Sequence, residues 1–185
     1  GAESDILKGM YLLQPGENSK NPRVRLLGAG TILQEVLKAA ELLKNDWNVD
    51  SDVYSCTSFN ELARDVQECE RQALFHPEEQ APASFVSEML NGSDAPVIVS
   101  TDYVRMLAEQ IRPAIKAPYR VLGTDGFGRS DTRSQLRKFF EVNRYYVAIA
   151  ALKELADAGT IEKSVVTEAI KKYDIDVNKP NPIWV

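Results

Sequence analysis

The chain has 185 residues, 44% of them apolar, with 10 glycines and 9 prolines, a globular composition long enough to bury a full core without disulfides or a structural metal. Its net charge is −5 and its 22 basic residues are scattered, which argues against a nucleic-acid partner. Two cysteines, Cys56 and Cys69, without Cys-x-x-Cys spacing, read as small buried hydrophobes of a reducing compartment and exclude a zinc site or redox pair.

From the amino end, residues 5–13 read as a strand. The loop Gln14-Pro15-Gly16-Glu17-Asn18-Ser19 separates it from an apolar run at 24–27. That run ends in Gly28-Ala29-Gly30, beyond which Ile32, Leu33, Val36, Leu37, Ala40 and Leu43 recur at helical spacing. A short strand at 52–55 follows. Ser58-Phe59-Asn60-Glu61 is then a capping box opening a helix to about residue 74. Phe59, Leu62, Ala63, Val66, Cys69 and Ala73 form its inner face, and its charges form a solvated one.

Residues 75–82 are a proline-bounded connection, 84–90 a short helix, Asn91-Gly92-Ser93-Asp94 a turn and 96–100 a buried strand. Thr101 or Asp102 is expected to cap the next helix, with Val104, Leu107, Ala108 and Ile111 inward and Pro113 closing it. Val121-Leu122 is a strand that stops at Gly123. Gly126 and Gly128 follow, and residues 130–132 supply cap oxygens before a helix carrying Leu136, Phe139 and Phe140. Helices at about 132–140, 144–158 and 161–173 complete the chain, with Gly159 as a stop between the last two.

Strands alternating with capped helices predict an α/β fold in three layers. A mostly parallel five-stranded sheet carries helices on both faces, and the first strand is a candidate antiparallel edge. No internal repeat or linker divides residues 1–185, so a single domain is expected. The longest apolar run, 145–152, is far short of the roughly 20 residues of a membrane helix, and no basic-then-apolar leader opens the chain. A cytoplasmic protein with no membrane partner is expected. Residue 1 is glycine and the first methionine is Met10, as expected of a domain cut from a longer protein.

Loops at the carboxyl ends of buried strands are where α/β proteins place binding chemistry. Gly28-Ala29-Gly30 invites a dinucleotide reading. However, Leu33 stands in place of the third glycine, and Tyr54-Ser55-Cys56-Thr57 ends the second strand without a ribose-binding carboxylate. Tight backbone packing is the better reading there. The turn at 123–133 holds Asp125, Arg129, Asp131 and Arg133, a pattern suited to a self-paired rigid loop. Arg129 could hold a phosphate or carboxylate, but pairing with Asp125, with Asp131 or with a neighbouring domain asks for less coincidence. His76, the only histidine, has Glu70, Glu78 and Glu79 as candidate partners and suits a helix-end or interface role better than catalysis. There is no nucleophile elbow, no Gly-x-x-x-x-Gly-Lys loop and no His or Cys cluster for a catalytic metal.

Several motifs in order carry a resemblance. They are Val-Arg-Leu-Leu-Gly-Ala-Gly-Thr-Ile at 24–32, Thr-Ser-Phe-Asn-Glu-Leu-Ala-Arg-Asp at 57–65 with Glu-Cys-Glu-Arg at 68–71, Val-Ser-Thr-Asp-Tyr at 99–103, and Gly-Thr-Asp-Gly-Phe-Gly-Arg-Ser-Asp at 123–131. Together, over about residues 1–182, they resemble the carboxyl-terminal domain of the homodimeric bacterial pyruvate dehydrogenases, which are transketolase-like enzymes. The resemblance implies a small three-layer α/β domain. It implies an enzyme that decarboxylates pyruvate on thiamine diphosphate with magnesium and reductively acetylates a lipoyl group of the dihydrolipoyl acetyltransferase component. The implied partners are the remaining domains of the same enzyme, the homodimer partner and that acetyltransferase.

In such enzymes the cofactor is held by the amino-terminal and middle domains. This chain has no Gly-Asp-Gly followed by a downstream Asn, so it is expected to carry no catalytic, cofactor-binding or metal-binding residue and to be inactive alone. Phe127-Gly128-x-Ser130 resembles the Phe-Gly-x-Ser turn of transketolases. His76, Asp102, Asp125, Phe127, Gly128, Arg129, Ser130 and Asp131 are expected to fix loops or form an interface. Two alternatives stay open: an autonomous anion- or nucleotide-binding module built on 28–30 and 123–129, and a docking domain for the acetyltransferase.

Overall fold

The computed structural model describes residues 1–17 and 19–185; Asn18, in the predicted loop, lies outside the described residues. Five strands, β1 (Met10–Gln14), β2 (Arg23–Ala29), β3 (Asp50–Cys56), β4 (Val97–Ser100) and β5 (Tyr119–Leu122), form one sheet in the order β1-β3-β2-β4-β5. β2 to β5 run parallel, and β1 lies antiparallel to β3 at the edge, as the alternation of elements predicts. The helices are α1 (Glu3–Lys8), α2 (Leu33–Trp47), α3 (Phe59–Phe75), α4 (Phe85–Leu90), α5 (Arg105–Glu109), α6 (Arg133–Phe139), α7 (Arg144–Asp157) and α8 (Lys163–Lys172).

Both faces of the sheet are covered, which is why β2 is buried almost without interruption and apolar from Leu26 onward. Val24 and Leu26 join Val36, Leu43, Leu152 and Leu155 in the core under α2, α7 and α8. Leu27 and Ala29 join Phe59, Leu62, Leu90 and Ile111 in the core under α3, α4 and α5. Each fully buried leucine contributes roughly 1.5–3 kcal/mol, so the two layers stabilise the sheet from both sides.

Three local expectations are corrected. Residues 5–8 belong to helix α1, not to a strand. Gly9 ends that helix at φ +108, and a Cβ there would lie 2.5 Å from the Ser58 carbonyl oxygen, so glycine both stops the helix and lets β1 start against α3. β3 begins at Asp50, two residues before the apolar pattern does. Asp50 is buried and takes Lys44 Nζ at 2.9 Å, and Asp52 takes Arg23 at 2.8 Å, so paired charges occupy the strand. Burial pushes the Asp50 carboxyl up, but hydrogen bonds from Ser19 and Lys44 outweigh it and hold the group low. Finally, α5 is capped by neither Thr101 nor Asp102. Its N-cap position is Val104, which is exposed and offers no side-chain acceptor; Thr101 instead accepts from the Tyr103 N–H at 3.2 Å.

The box at 58–61 is half realised. Ser58 Oγ accepts from the Glu61 N–H at 3.2 Å, but the Ser58 N–H goes to the Gly9 carbonyl at 3.1 Å, leaving Glu61 to pair with Arg64. Gly159, at φ +72, follows α7 as the stop the sequence requires. Among the described residues no helix is long and apolar enough to cross a membrane.

Candidate functional site

The connection from β2 leads outward to β3, whereas β4 and β5 extend the sheet on the other side of β2. The chain therefore diverges between the carboxyl ends of β2 and β4, where Gly28 pairs with Ser100. Open α/β sheets form their crevices at such a point. Here it is a cleft of about 580 Å³, whose walls include Thr31, Asp102, Thr124, Arg129, Arg133 and Arg137. Thr31 Oγ1 donates to Asp102 Oδ2 at 3.4 Å, and Thr124 Oγ1 donates to the Asp102 carbonyl at 2.8 Å. Asp102 thus ties the loops after β2, β4 and β5 together.

The loop after β5 is held from outside itself. Asp125 Oδ1 accepts from the Arg105 N–H at 3.0 Å and Oδ2 takes the Arg105 guanidinium, supplying the missing cap of α5 from 20 residues downstream. Gly126, at φ +101, lies so close to the carboxyl-terminal 3-10 turn Pro182–Trp184 that a Cβ would sit 2.6 Å from the Pro182 oxygen. Arg129 pairs with neither Asp125 nor Asp131: its guanidinium lies 4.4 Å from the centre of the Phe139 ring. Asp131 accepts from the Thr132 N–H at 2.6 Å, and Thr132 caps α6 through the Gln135 N–H at 3.4 Å. Phe127 is 79% exposed, and Gly128 and Ser130 are exposed beside it. His76 stands apart, at the end of α3, with Nδ1 3.5 Å from Glu79 Oε1. Glu79 is thus the one of its three candidate partners that reaches it.

Sequence reasoning missed Glu35. It sits on α2, 5% exposed, and accepts from Arg137 Nη1 at 2.9 Å and from Arg144 Nε, Nη2 and backbone N–H at 2.9, 3.0 and 3.1 Å. Arg137 Nη2 also reaches the Thr31 carbonyl at 3.3 Å. Burial would raise the Glu35 carboxyl, yet the hydrogen bonds from Arg144 and the charges of both arginines win and hold it below the usual carboxylate range. The available signal was a glutamate next to Val36 on the helix face that faces the core.

The turn at 28–30 is packed at Gly28, while Gly30 is exposed and takes a positive φ of 55°. A Cβ on Gly28 would lie 2.9 Å from Leu33 Cα and 3.1 Å from Val36 Cγ2, so the glycine serves the approach of strand to helix. Burial pushes the Cys56 thiol up to about 12, which removes it as a nucleophile at neutral pH. Among the described residues no group of three His, Cys, Asp or Glu side chains could hold a metal ion. What the cleft and its surroundings offer is cationic: guanidinium groups suited to anions or to acidic surfaces.

Residues 9–143 match the family described as the transketolase-like TK C-terminal domain. The chain belongs to that family. Among curated proteins, this transketolase-like domain is 59% identical over 186 residues to the pyruvate dehydrogenase E1 component of Cupriavidus necator, covering 100% of this chain and 21% of the relative. It is 54% identical to the pyruvate dehydrogenase E1 component of Pseudomonas aeruginosa over 184 residues, 99% of this chain and 21% of that protein. It is also 54% identical to that of Escherichia coli K12 over 183 residues, 98% of this chain and 20% of that protein. The chain therefore spans about a fifth of the length of these relatives. Among solved structures, it shares its fold with a mutant transketolase of Pichia stipitis, at TM-score 0.57 and 18% identity, covering 84% of this chain and 19% of that one. A transketolase of Leishmania mexicana matches at TM-score 0.55 and 19% identity, with the same coverage.

Proposed function

We propose that this domain is the carboxyl-terminal part of a pyruvate dehydrogenase E1 component, and that it scaffolds the enzyme without supplying a reacting group. The observation that carries this reading is 59% identity across the whole chain to one such protein. The complete enzyme would decarboxylate pyruvate on thiamine diphosphate with magnesium and pass the acetyl group to a lipoyl group of the dihydrolipoyl acetyltransferase component.

The residues present do not fit that cofactor. Among the described residues no carboxylate set converges for magnesium. The Gly28 turn is filled by Leu33 and Val36, and Asp125 is engaged by Arg105. This supports placing the cofactor in the remaining length of the enzyme, and no step of the reaction is assigned to this chain. Its own contribution is a rigid sheet end. Tyr103, Met106, Phe127 and Trp184 leave large apolar side chains exposed on or near the loops there, suited to burial against the remaining domains or the homodimer partner. A cytoplasmic location is part of this reading and rests on the likeness to the bacterial relatives.

The test is an assay of pyruvate decarboxylation with thiamine diphosphate and magnesium, run on the full-length enzyme and on the 185-residue chain, with sedimentation of both. Turnover by a full-length dimer and none by the chain is expected. Turnover by the chain alone, or a full-length protein that ignores pyruvate, refutes the reading.

A further inference from the structure

Helices α2, α6 and α7 meet around a second cavity of about 640 Å³. Its walls carry four cations, Lys38, Arg133, Arg137 and Arg144, against the single carboxylate of Glu35, in a chain whose net charge is −5. So local an excess of one sign, with Glu41 the further carboxylate that acts on Arg144, attracts counter-ions of the opposite sign.

The four cations fall into two kinds. Glu35 takes Arg137 through Nη1 and Arg144 through Nε and Nη2, which fixes both guanidinium planes. Arg144 Nη1 and Arg137 Nε remain unclaimed among the described residues. Lys38 Nζ and the Arg133 guanidinium have neither a hydrogen bond nor an acidic group within 4.0 Å among the described residues, and both line the same opening. Two held forks and two uncommitted arms around one cavity are the donor set that a tetrahedral, multiply charged oxyanion requires. A single carboxylate would leave most of those donors and charges unanswered.

We propose that this cavity binds a compact phosphate-class anion, with Arg137 and Arg144 as a floor positioned by Glu35 and with Lys38 and Arg133 as closing arms. The location differs from the glycine turn at 28–30, which is packed at Gly28, and the site stands independently of the enzyme assignment. Both free inorganic phosphates and the phosphate ester of an organic molecule present this chemistry.

The experiment is calorimetric titration of inorganic pyrophosphate, and separately of glycerol 3-phosphate, into the 185-residue chain and into the full-length enzyme at about 50 mM salt, where screening is modest. Saturable one-to-one binding that weakens with added salt is expected in both proteins. The double variant Lys38→Ala/Arg133→Ala touches none of the Glu35 hydrogen bonds, so it should keep its circular dichroism spectrum and bind about tenfold or more weakly. Lys38→Arg/Arg133→Lys, which keeps the charge, should recover most of the affinity. Preference for pyrophosphate would assign a free inorganic phosphate and preference for glycerol 3-phosphate an ester. Absence of saturable binding, equal affinity in a folded double alanine variant, or binding by the chain that is lost in the full-length enzyme would each overturn the proposal.

Discussion

Glu35 and Arg144, 109 residues apart in sequence, share three hydrogen bonds of 2.9 to 3.1 Å. They join the first turn of α2 to the first turn of α7, and Arg137 adds α6 through the same carboxylate. Removing the carboxylate leaves two guanidinium groups with part of their surface out of water. Glu35→Ala is expected to cost about 2–4 kcal/mol, less than the roughly 3–5 kcal/mol of a fully buried pair because both arginines keep some solvent contact. Urea unfolding with an unchanged m-value would measure it; a loss below about 0.5 kcal/mol would show that the network contributes little.

The same group sets a pH dependence. The Glu35 carboxyl is lowered in the folded chain from a value of 4.5, so at acid pH the unfolded state binds the proton more readily. The stabilisation is present above pH 4.5 and is lost as pH falls through the lower folded value. Unfolding free energy measured from pH 6 to pH 3 should therefore fall on the acid side, and Glu35→Gln should flatten that slope. Parallel slopes in the two proteins would assign acid sensitivity to other carboxylates.

Gly126 joins the loop after β5 to the carboxyl-terminal turn. A side chain there meets both a positive φ of 101° and the Pro182 oxygen at 2.6 Å. Gly126→Ala is expected to destabilise by about 1–3 kcal/mol and to loosen the terminal segment. Amide hydrogen exchange at Ile183 and Trp184, whose N–H groups are held by Asn181 at 3.1 and 3.0 Å, should become faster. An unchanged exchange rate would show that the contact does not restrain the terminus.

Asp125 is the cap of α5 by proxy. Asp125→Ala removes an acceptor from the Arg105 N–H and a partner from its guanidinium, and about 1–2 kcal/mol is expected. Asp125→Asn retains one acceptor and should recover part of the loss. Amide exchange at residues 105–108 would separate this local effect from global unfolding: protection should fall there before it falls in β2.

The layered sheet was legible in the sequence because short apolar runs bounded by turn residues alternate with stripes of helical period along most of the chain. Residues 5–8 misled because Ile6 and Leu7 are apolar yet exposed on α1, and only the positive φ of Gly9 reveals that a helix ends there. Close packing at the 28–30 turn was read correctly for Gly28, since a missing third glycine and a missing carboxylate are visible in one dimension. The pairing of Arg129 was not. Asp125 is taken by Arg105 and Asp131 by the Thr132 N–H, while Arg129 lies over the Phe139 ring. Glu35 was hidden too: its partners arrive from more than 100 residues away, and nothing local announces them.

Arg25 sits in the central strand β2 at 3% exposure, and its guanidinium is met by the main-chain oxygens of Leu90 and Ala95, 65 and 70 residues onward. Burial lowers its affinity for the proton, though not enough to discharge it near neutrality. Two of its three contacts go to the Ala95 oxygen in the turn before β4, so a truncation that stops short of residue 95 would leave the guanidinium without them.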